Sequence, residues 1–72
     1  MPHIDIKMFP GRNDEMKKEL ADKIVEAAME TLGCPKEALS VAVTDVEQAD
    51  WNDFADTVDQ SKVMAGEVFR VK

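Results

Sequence analysis

The chain of 72 residues has a mass of 8.0 kDa, which is enough for one small domain over 1–72 and leaves no room for a second core. Fifteen acidic residues against nine basic ones give a net charge of -6, and this negative field disfavours nucleic acid and anionic membranes as partners. Hydrophobic residues make up 44%, too many for a disordered acidic chain, yet no apolar run approaches the ~20 residues of a membrane span. With Cys34 as the single cysteine, we expect a soluble, cytoplasmic domain without an internal disulfide.

The first predicted element is a strand over about residues 2–9. Its side chains alternate, with Ile4, Ile6 and Met8 on one face. The other face carries three polar residues and one aromatic residue: His3, Asp5, Lys7 and Phe9. Pro10 and the glycine after it end the pattern.

A long helix over about residues 14–32 follows. Asn13 is a suitable N-cap, the acidic pair after it suits the positive end of the helix dipole, and Gly33 is a suitable stop. Apolar residues recur at steps of three and four and predict the buried stripe: Met16, Leu20, Ile24, Ala27, Ala28 and Leu32.

Alternation returns over about residues 39–46 and predicts a second strand with Leu39, Val41 and Val43 on one side. Beyond it we expect an irregular or short helical tail over 50–72, in which 68–71 would form a terminal strand.

The order strand, helix, strand predicts an α/β (α+β) fold built on a β-α-β unit with parallel strands. A two-stranded parallel sheet with one helix covers only one of its faces, and a chain this small usually needs further burial. We therefore expect a symmetric homo-oligomer that completes the fold.

Few residues suggest chemistry. His3 and Cys34 are far apart in the sequence. His3 is better explained as a residue on the strand surface than as a metal ligand, and Cys34 is better explained as a loop residue than as a nucleophile. A set of aspartates falls at every third position in the tail, which is more typical of a solvated helix face than of a cation site: Asp50, Asp53, Asp56 and Asp59.

Pro2 is the exception, because it directly follows the initiator methionine and directly precedes a strand. Once Met1 is removed, this proline would carry a free secondary amine, which is both a base and a nucleophile. From the residues alone, a proline that merely starts an edge strand remains the simpler interpretation.

The opening Pro2-His3-Ile4-Asp5-Ile6-Lys7, the Gly11-Arg12-Asn13-Asp14-Glu15 turn into a long helix, the second strand and the total size resemble the 4-oxalocrotonate tautomerase family. The likeness covers about residues 2–51, and MPHIDIK is especially similar to the PptA-type tautomerases. The resemblance implies a tautomerase/MIF-like fold and a keto-enol isomerase that needs no cofactor or metal, with Pro2 as the general base. Its substrates would be small unsaturated or aryl 2-hydroxy/2-keto acids.

The same resemblance implies that Arg12 binds a substrate carboxylate and that Trp51 is an aromatic wall of the pocket. Both fit the chemistry, because an arginine presents a bidentate fork and an apolar wall lowers the pKa of an amine. The family's second arginine aligns with Ser40, which would donate only a hydrogen bond, so a monocarboxylate is favoured over a dicarboxylate such as 2-hydroxymuconate. The tail looks closer to that of the dimeric members than to the glycine-rich hairpin of the hexameric ones, and this favours a dimer over a hexamer built as a trimer of dimers.

Two alternatives stay open. Related small proteins use the same proline amine for dehalogenation, hydration or decarboxylation of unsaturated acids. The absence of the second arginine also fits a non-catalytic oligomeric scaffold that has kept the fold.

Overall fold

The computed structural model describes residues 1–72 and has a β-α-β unit followed by a short helix and an irregular tail. Strand β1 spans His3–Met8, helix α1 spans Asp14–Leu32, strand β2 spans Ser40–Asp45, and helix α2 spans Trp51–Ala55. Three single 3-10 turns lie at Lys36–Ala38, Gln48–Asp50 and Gln60–Lys62. No helix is long and apolar enough to cross a membrane.

The strands are parallel neighbours, with His3 opposite Ser40 at one end and Met8 opposite Asp45 at the other. The predicted β-α-β fold is confirmed, and each strand is one residue shorter at either end than the sequence pattern suggested.

The bounds of α1 match the prediction, because both helix ends carry local signals. The side chain of Asn13 accepts a hydrogen bond from the Met16 amide at 2.8 Å. At the other end Gly33 adopts a left-handed φ of 72° and its amide donates to the Met29 carbonyl at 2.9 Å.

The predicted apolar stripe of α1 is partly wrong. Met16 and Leu32 are 53% and 61% exposed, and Leu20 is exposed as well. The half-buried residues lie on a face rotated from the predicted one, at helical spacing: Lys17, Ala21, Ile24, Val25, Ala28 and Met29. The stripe therefore divides into a part against the sheet and an uncovered apolar flank.

The sheet has one apolar and one polar face. Ile4 and Ile6 pair in register with Val41 and Val43, and the ion pair between Lys17 of α1 and Asp45 at 3.0 Å indicates that the helix covers this face. On the opposite face the register pairs are polar or small: His3 with Ser40, Asp5 with Ala42, and Lys7 with Thr44.

The prediction of a terminal strand over 68–71 is wrong, since the tail makes no backbone ladder. The backbone groups of Phe69 and Val71 form hydrogen bonds with side chains instead. The indole Nε1 of Trp51 donates to the Phe69 carbonyl at 2.7 Å, and the amide group of Asn52 makes two hydrogen bonds of 2.8 Å with the backbone of Val71.

A single protomer is open rather than compact. Only Ala55 is fully buried, and the radius of gyration is 13.6 Å, against about 11 Å for a compact domain of this length. The accessible surface is 5663 Å², against about 4,500 Å² for a compact monomer of this mass. Much apolar surface is therefore left uncovered by the chain itself.

Candidate active site

Pro2 and Ser40 lie together at the amino-terminal end of the sheet. The backbone amide of Ser40 donates to the Pro2 carbonyl oxygen at 3.3 Å, extending the ladder beyond β1. Pro2 is half-buried, and the next residue, His3, has its Nδ1 2.7 Å from the Ser40 hydroxyl oxygen. This end of the sheet is thus polar, with a hydroxyl and an imidazole beside the chain terminus.

Arg12 lies at the carboxyl-terminal end, in the connection from β1 to α1. Gly11 has a φ of 126°, a conformation that other residues rarely adopt, and it turns the chain towards α1. Arg12 is the next residue and directly precedes the helix cap. The Arg12 side chain is exposed and forms no ion pair or side-chain hydrogen bond within the protomer. Its guanidinium is therefore free to bind an anion.

Trp51 lies at the same end as Arg12. Its ring centroid is 5.0 Å from that of Phe9, edge-to-face at 82°, and 5.1 Å from that of Phe54. Phe9 in turn is 6.0 Å from Phe69, again edge-to-face. These four residues form what we call the aromatic cluster: Phe9, Trp51, Phe54 and Phe69.

The residues that the sequence analysis proposed for one site therefore fall at opposite ends of the protomer. The six residues of β1 separate Pro2 from Phe9 and Arg12, which amounts to about 20 Å at 3.3 Å per residue. Within one protomer the structure brings Pro2 together with Ser40, and it places Arg12 and Trp51 at the other end of the sheet.

Three site neighbours were missed by sequence reasoning. Phe54 carries a weak signal, because it lies three residues after Trp51 on the same short helix. Phe69 and Asn52 carry none, since their roles depend on contacts between residues 18 and 19 positions apart. Arg70, the other arginine of the chain, is paired with Asp56 at 2.6 Å.

The tail aspartates do not form a metal site, and no three potential ligands converge anywhere in the chain. One of them has a shifted titration. The Ser61 hydroxyl and, secondly, the Ser61 backbone amide donate to Asp59 at 2.6 and 3.0 Å and hold the pKa of this exposed carboxyl below its ordinary value.

The one surface depression of the protomer lies elsewhere, along α1. The Lys18 Nζ donates to the Asp22 Oδ1 at 2.7 Å within it. This charged pair on one helix indicates that the depression is a solvated helix surface. None of the predicted site residues is among those that line it: Lys18, Asp22, Val25, Glu26, Met29 and Lys36.

A family model described as "Tautomerase enzyme" matches residues 2–52, about 71% of the chain. The chain belongs to the tautomerase enzyme family, in its 4-oxalocrotonate tautomerase branch.

Individual relatives of this chain are also described as tautomerases. A probable tautomerase of Xylella fastidiosa is 47% identical over 51 residues, which are 71% of this chain and 62% of that protein. Tautomerase PptA of an Enterobacter species is 44% identical over 52 residues, 71% of this chain and 68% of that one. Among solved structures, TomN, described as a 4-oxalocrotonate tautomerase homologue in the tomaymycin biosynthetic pathway, superposes with a TM-score of 0.67 at 34% identity, covering 69% of this chain and 77% of that one.

Proposed function

We propose that the protein is a keto-enol tautomerase of small unsaturated or aryl 2-hydroxy/2-keto acids, in which the Pro2 amine is the general base after removal of Met1. The observation that carries this proposal is the family match, which begins on Pro2 and runs through both strands and the helix. The segment after residue 52 lies outside that match.

In the proposed reaction the free amine takes a proton from the enol hydroxyl or from an α-carbon and returns it to the conjugated carbon of the same substrate. Protons and electrons balance within one molecule, so the proposal includes no cofactor. A positioned general base contributes about 10² to 10⁴ in rate. The amine must be unprotonated, whereas an ordinary α-amino group has a pKa of about 8, so an apolar or cationic neighbour would assist the reaction.

Arg12 is the proposed partner of the substrate carboxylate. Its guanidinium is unpaired in the protomer, and a bidentate contact would orient the acid and stabilise the negative charge that develops on the enolate. Trp51 would supply the apolar wall, and the Ser40 hydroxyl a hydrogen bond beside Pro2. With a hydroxyl rather than a second cation at this end, a monocarboxylate is the favoured substrate.

This reaction requires a second copy of the chain, because base and cation lie about 20 Å apart along β1. A two-fold arrangement that sets two sheets in opposite directions would bring the Pro2 end of one protomer to the Arg12 end of its partner, twice. The uncovered flank of α1 and the open shape of the protomer support such an assembly.

Of the two assemblies considered, we propose the dimer. The sheet face opposite α1 carries His3 and an ion pair between Lys7 and Asp5 at 3.3 Å. Stacking this face against other sheets, as in a closed hexamer, would bury that pair at a desolvation cost. Sedimentation would distinguish a mass of two chains from one of six.

We also propose a cytoplasmic location for the protein, which cell fractionation would test.

The function is tested by following the ultraviolet absorbance of phenylenolpyruvate with protein whose intact mass shows that Met1 is absent, beside Pro2→Ala. We expect rapid ketonisation by the processed protein and a loss of at least about 100-fold in the variant. If processed protein leaves both this enol and 2-hydroxymuconate at their buffer rates, the tautomerase proposal fails and a non-catalytic scaffold becomes the better account.

A further inference from the structure

The last residues of the chain are fixed against the aromatic cluster although they form no helix or strand. The Phe69 carbonyl accepts from Trp51, and the Val71 backbone pairs with Asn52 through both its amide and its carbonyl. Trp51 and Asn52 are the last two residues of the family match. The tail, which lies outside that match, is thus anchored directly to the candidate site.

This anchoring places the ring of Phe69 at the edge of the aromatic cluster. Phe69 is 60% exposed, whereas Phe9 and Trp51 are half-buried. Its ring meets Phe9 edge-to-face at 79°, an arrangement that covers at most one face of each ring. A fixed backbone with an exposed ring offers a surface on which another planar apolar group can pack.

The charge next to this surface indicates what would bind. Arg12 follows Phe9 by three residues, so their Cα atoms lie within about 11 Å of each other. The chain has two arginines, and Arg70 is neutralised by Asp56, whereas Arg12 is unpaired. An unpaired guanidinium three residues along the chain from Phe9, whose ring contacts the exposed Phe69, is complementary to a small acid that carries an aromatic group.

We propose that Phe69 determines specificity by packing, together with Phe9 and Trp51, on the aromatic ring of an aryl 2-hydroxy or 2-keto acid whose carboxylate Arg12 binds. The reaction of that acid depends on the proposed function, but its binding does not require the Pro2 amine. A second copy of the chain packed directly on the Phe69 ring is the less suitable occupant of that ring, because one exposed ring at the cluster's edge falls far short of the ~800 Å² that each partner buries in a stable interface.

The test uses Trp51, the only tryptophan, as a fluorescent probe. Processed full-length protein is titrated with 3-phenylpropanoate, which has no enol to ketonise, and in parallel with hexanoate as an aliphatic acid. We expect saturable quenching by 3-phenylpropanoate, weakened about tenfold in Phe69→Ala and restored in Phe69→Tyr, with a much smaller change for hexanoate.

Met64→Ala is the matched control, because Met64 is an apolar residue of the same tail that is 88% exposed. We expect it to bind 3-phenylpropanoate as the unmodified chain does. Absence of saturable quenching, or equal affinity in Phe69→Ala, would overturn the proposal. So would a change of sedimenting mass in Phe69→Ala, because the ring would then belong to a protein interface.

Two further measurements separate this proposal from the tautomerase proposal. Pro2→Ala should bind 3-phenylpropanoate with unchanged affinity while losing enol turnover. If processed protein fails to ketonise any enol but still binds 3-phenylpropanoate in a Phe69-dependent manner, the tautomerase proposal falls and the aryl-acid site stands.

Discussion

The two ends of the sheet differ in chemistry. The amino-terminal end is polar, with Pro2 beside the hydrogen-bonded pair of His3 and Ser40. The carboxyl-terminal end is aromatic and cationic, with the Phe9 ring in contact with Trp51 and an unpaired Arg12 three residues further along the chain. Neither end alone holds both the proposed base, Pro2, and the proposed carboxylate-binding residue, Arg12. A parallel β-α-β unit separates its strand ends by the length of the strand, so a site with both chemistries requires two copies.

Removing the charge at the aromatic end should have the largest effect. We expect Arg12→Gln to lower kcat/KM for phenylenolpyruvate by about 10- to 150-fold, because a charge-assisted hydrogen bond contributes about 1.5–3 kcal/mol. Steady-state kinetics of processed protein measures this. Arg70→Gln is the matched control and should change kcat/KM less than about twofold, since Arg70 is exposed and already paired with Asp56. Equal losses in the two variants would argue against a specific role for Arg12.

Adding a positive charge at the polar end should reduce the difference between the two ends. Ser40→Arg would create a second cation beside Pro2, and we expect the ratio of kcat/KM for 2-hydroxymuconate to that for phenylenolpyruvate to rise about tenfold. Ser40→Ala separates the loss of the hydroxyl from the gain of charge, and should leave the ratio near its starting value. A fall of the ratio in Ser40→Arg would place the second carboxylate elsewhere.

The contact between the tail and the aromatic end should affect stability more than chemistry. Asn52→Ala removes two hydrogen bonds to Val71 from a half-buried side chain, and we expect a loss of about 1–3 kcal/mol in the free energy of unfolding. Thermal denaturation followed by circular dichroism measures this as a lower Tm. Gln48→Ala, at an exposed position in the preceding turn, should change the free energy of unfolding by less than about 0.5 kcal/mol, which is a Tm change of no more than about 2–4 °C. An unchanged Tm in Asn52→Ala would mean that the tail is not held as described.

The smallest expected effect lies in the tail itself. The folded-state pKa of Asp59 is lowered, so its hydrogen bonds with Ser61 stabilise the fold above the ordinary carboxyl pKa, and this stabilisation is lost as the pH falls through the lowered value. Ser61→Ala should return the Asp59 pKa towards the ordinary range, which a carboxyl-detected NMR titration would report. Because Asp59 is fully exposed, we expect little change in overall stability.

Local signals made much of the fold predictable. Asn13 and Gly33 set the ends of α1 through contacts within four residues, and both strands follow from alternation. The buried face of α1 was harder to predict, because Met16 and Leu20 have the right spacing but lie on a flank that the protomer leaves uncovered. The prediction of a terminal strand was wrong because the side chains of Trp51 and Asn52 bind backbone groups of the tail that a strand would use in its own ladder.

The candidate site was predictable only in part. The residues Pro2, Arg12, Trp51 and Ser40 were singled out from their resemblance to a family, and their catalytic and binding roles remain predictions. Their division between two ends follows from topology, which the sequence pattern does contain. The position of Phe69 was not foreseeable, because it depends on a hydrogen bond that the indole of Trp51, 18 residues earlier, donates to the Phe69 carbonyl.

A complementation experiment tests the shared site most directly. Pro2→Ala and Arg12→Ala, each of which we expect to lose at least about 90% of the activity alone, are unfolded together in equal amounts and refolded as a mixture. If base and cation come from different protomers of a two-fold dimer, half of the dimers are mixed and each mixed dimer has one intact site, so about a quarter of the original activity returns. If the mixture stays as inactive as its components while the unmodified chain refolds to full activity, Pro2 and Arg12 do not act across an interface, and the protein has no shared site of this kind.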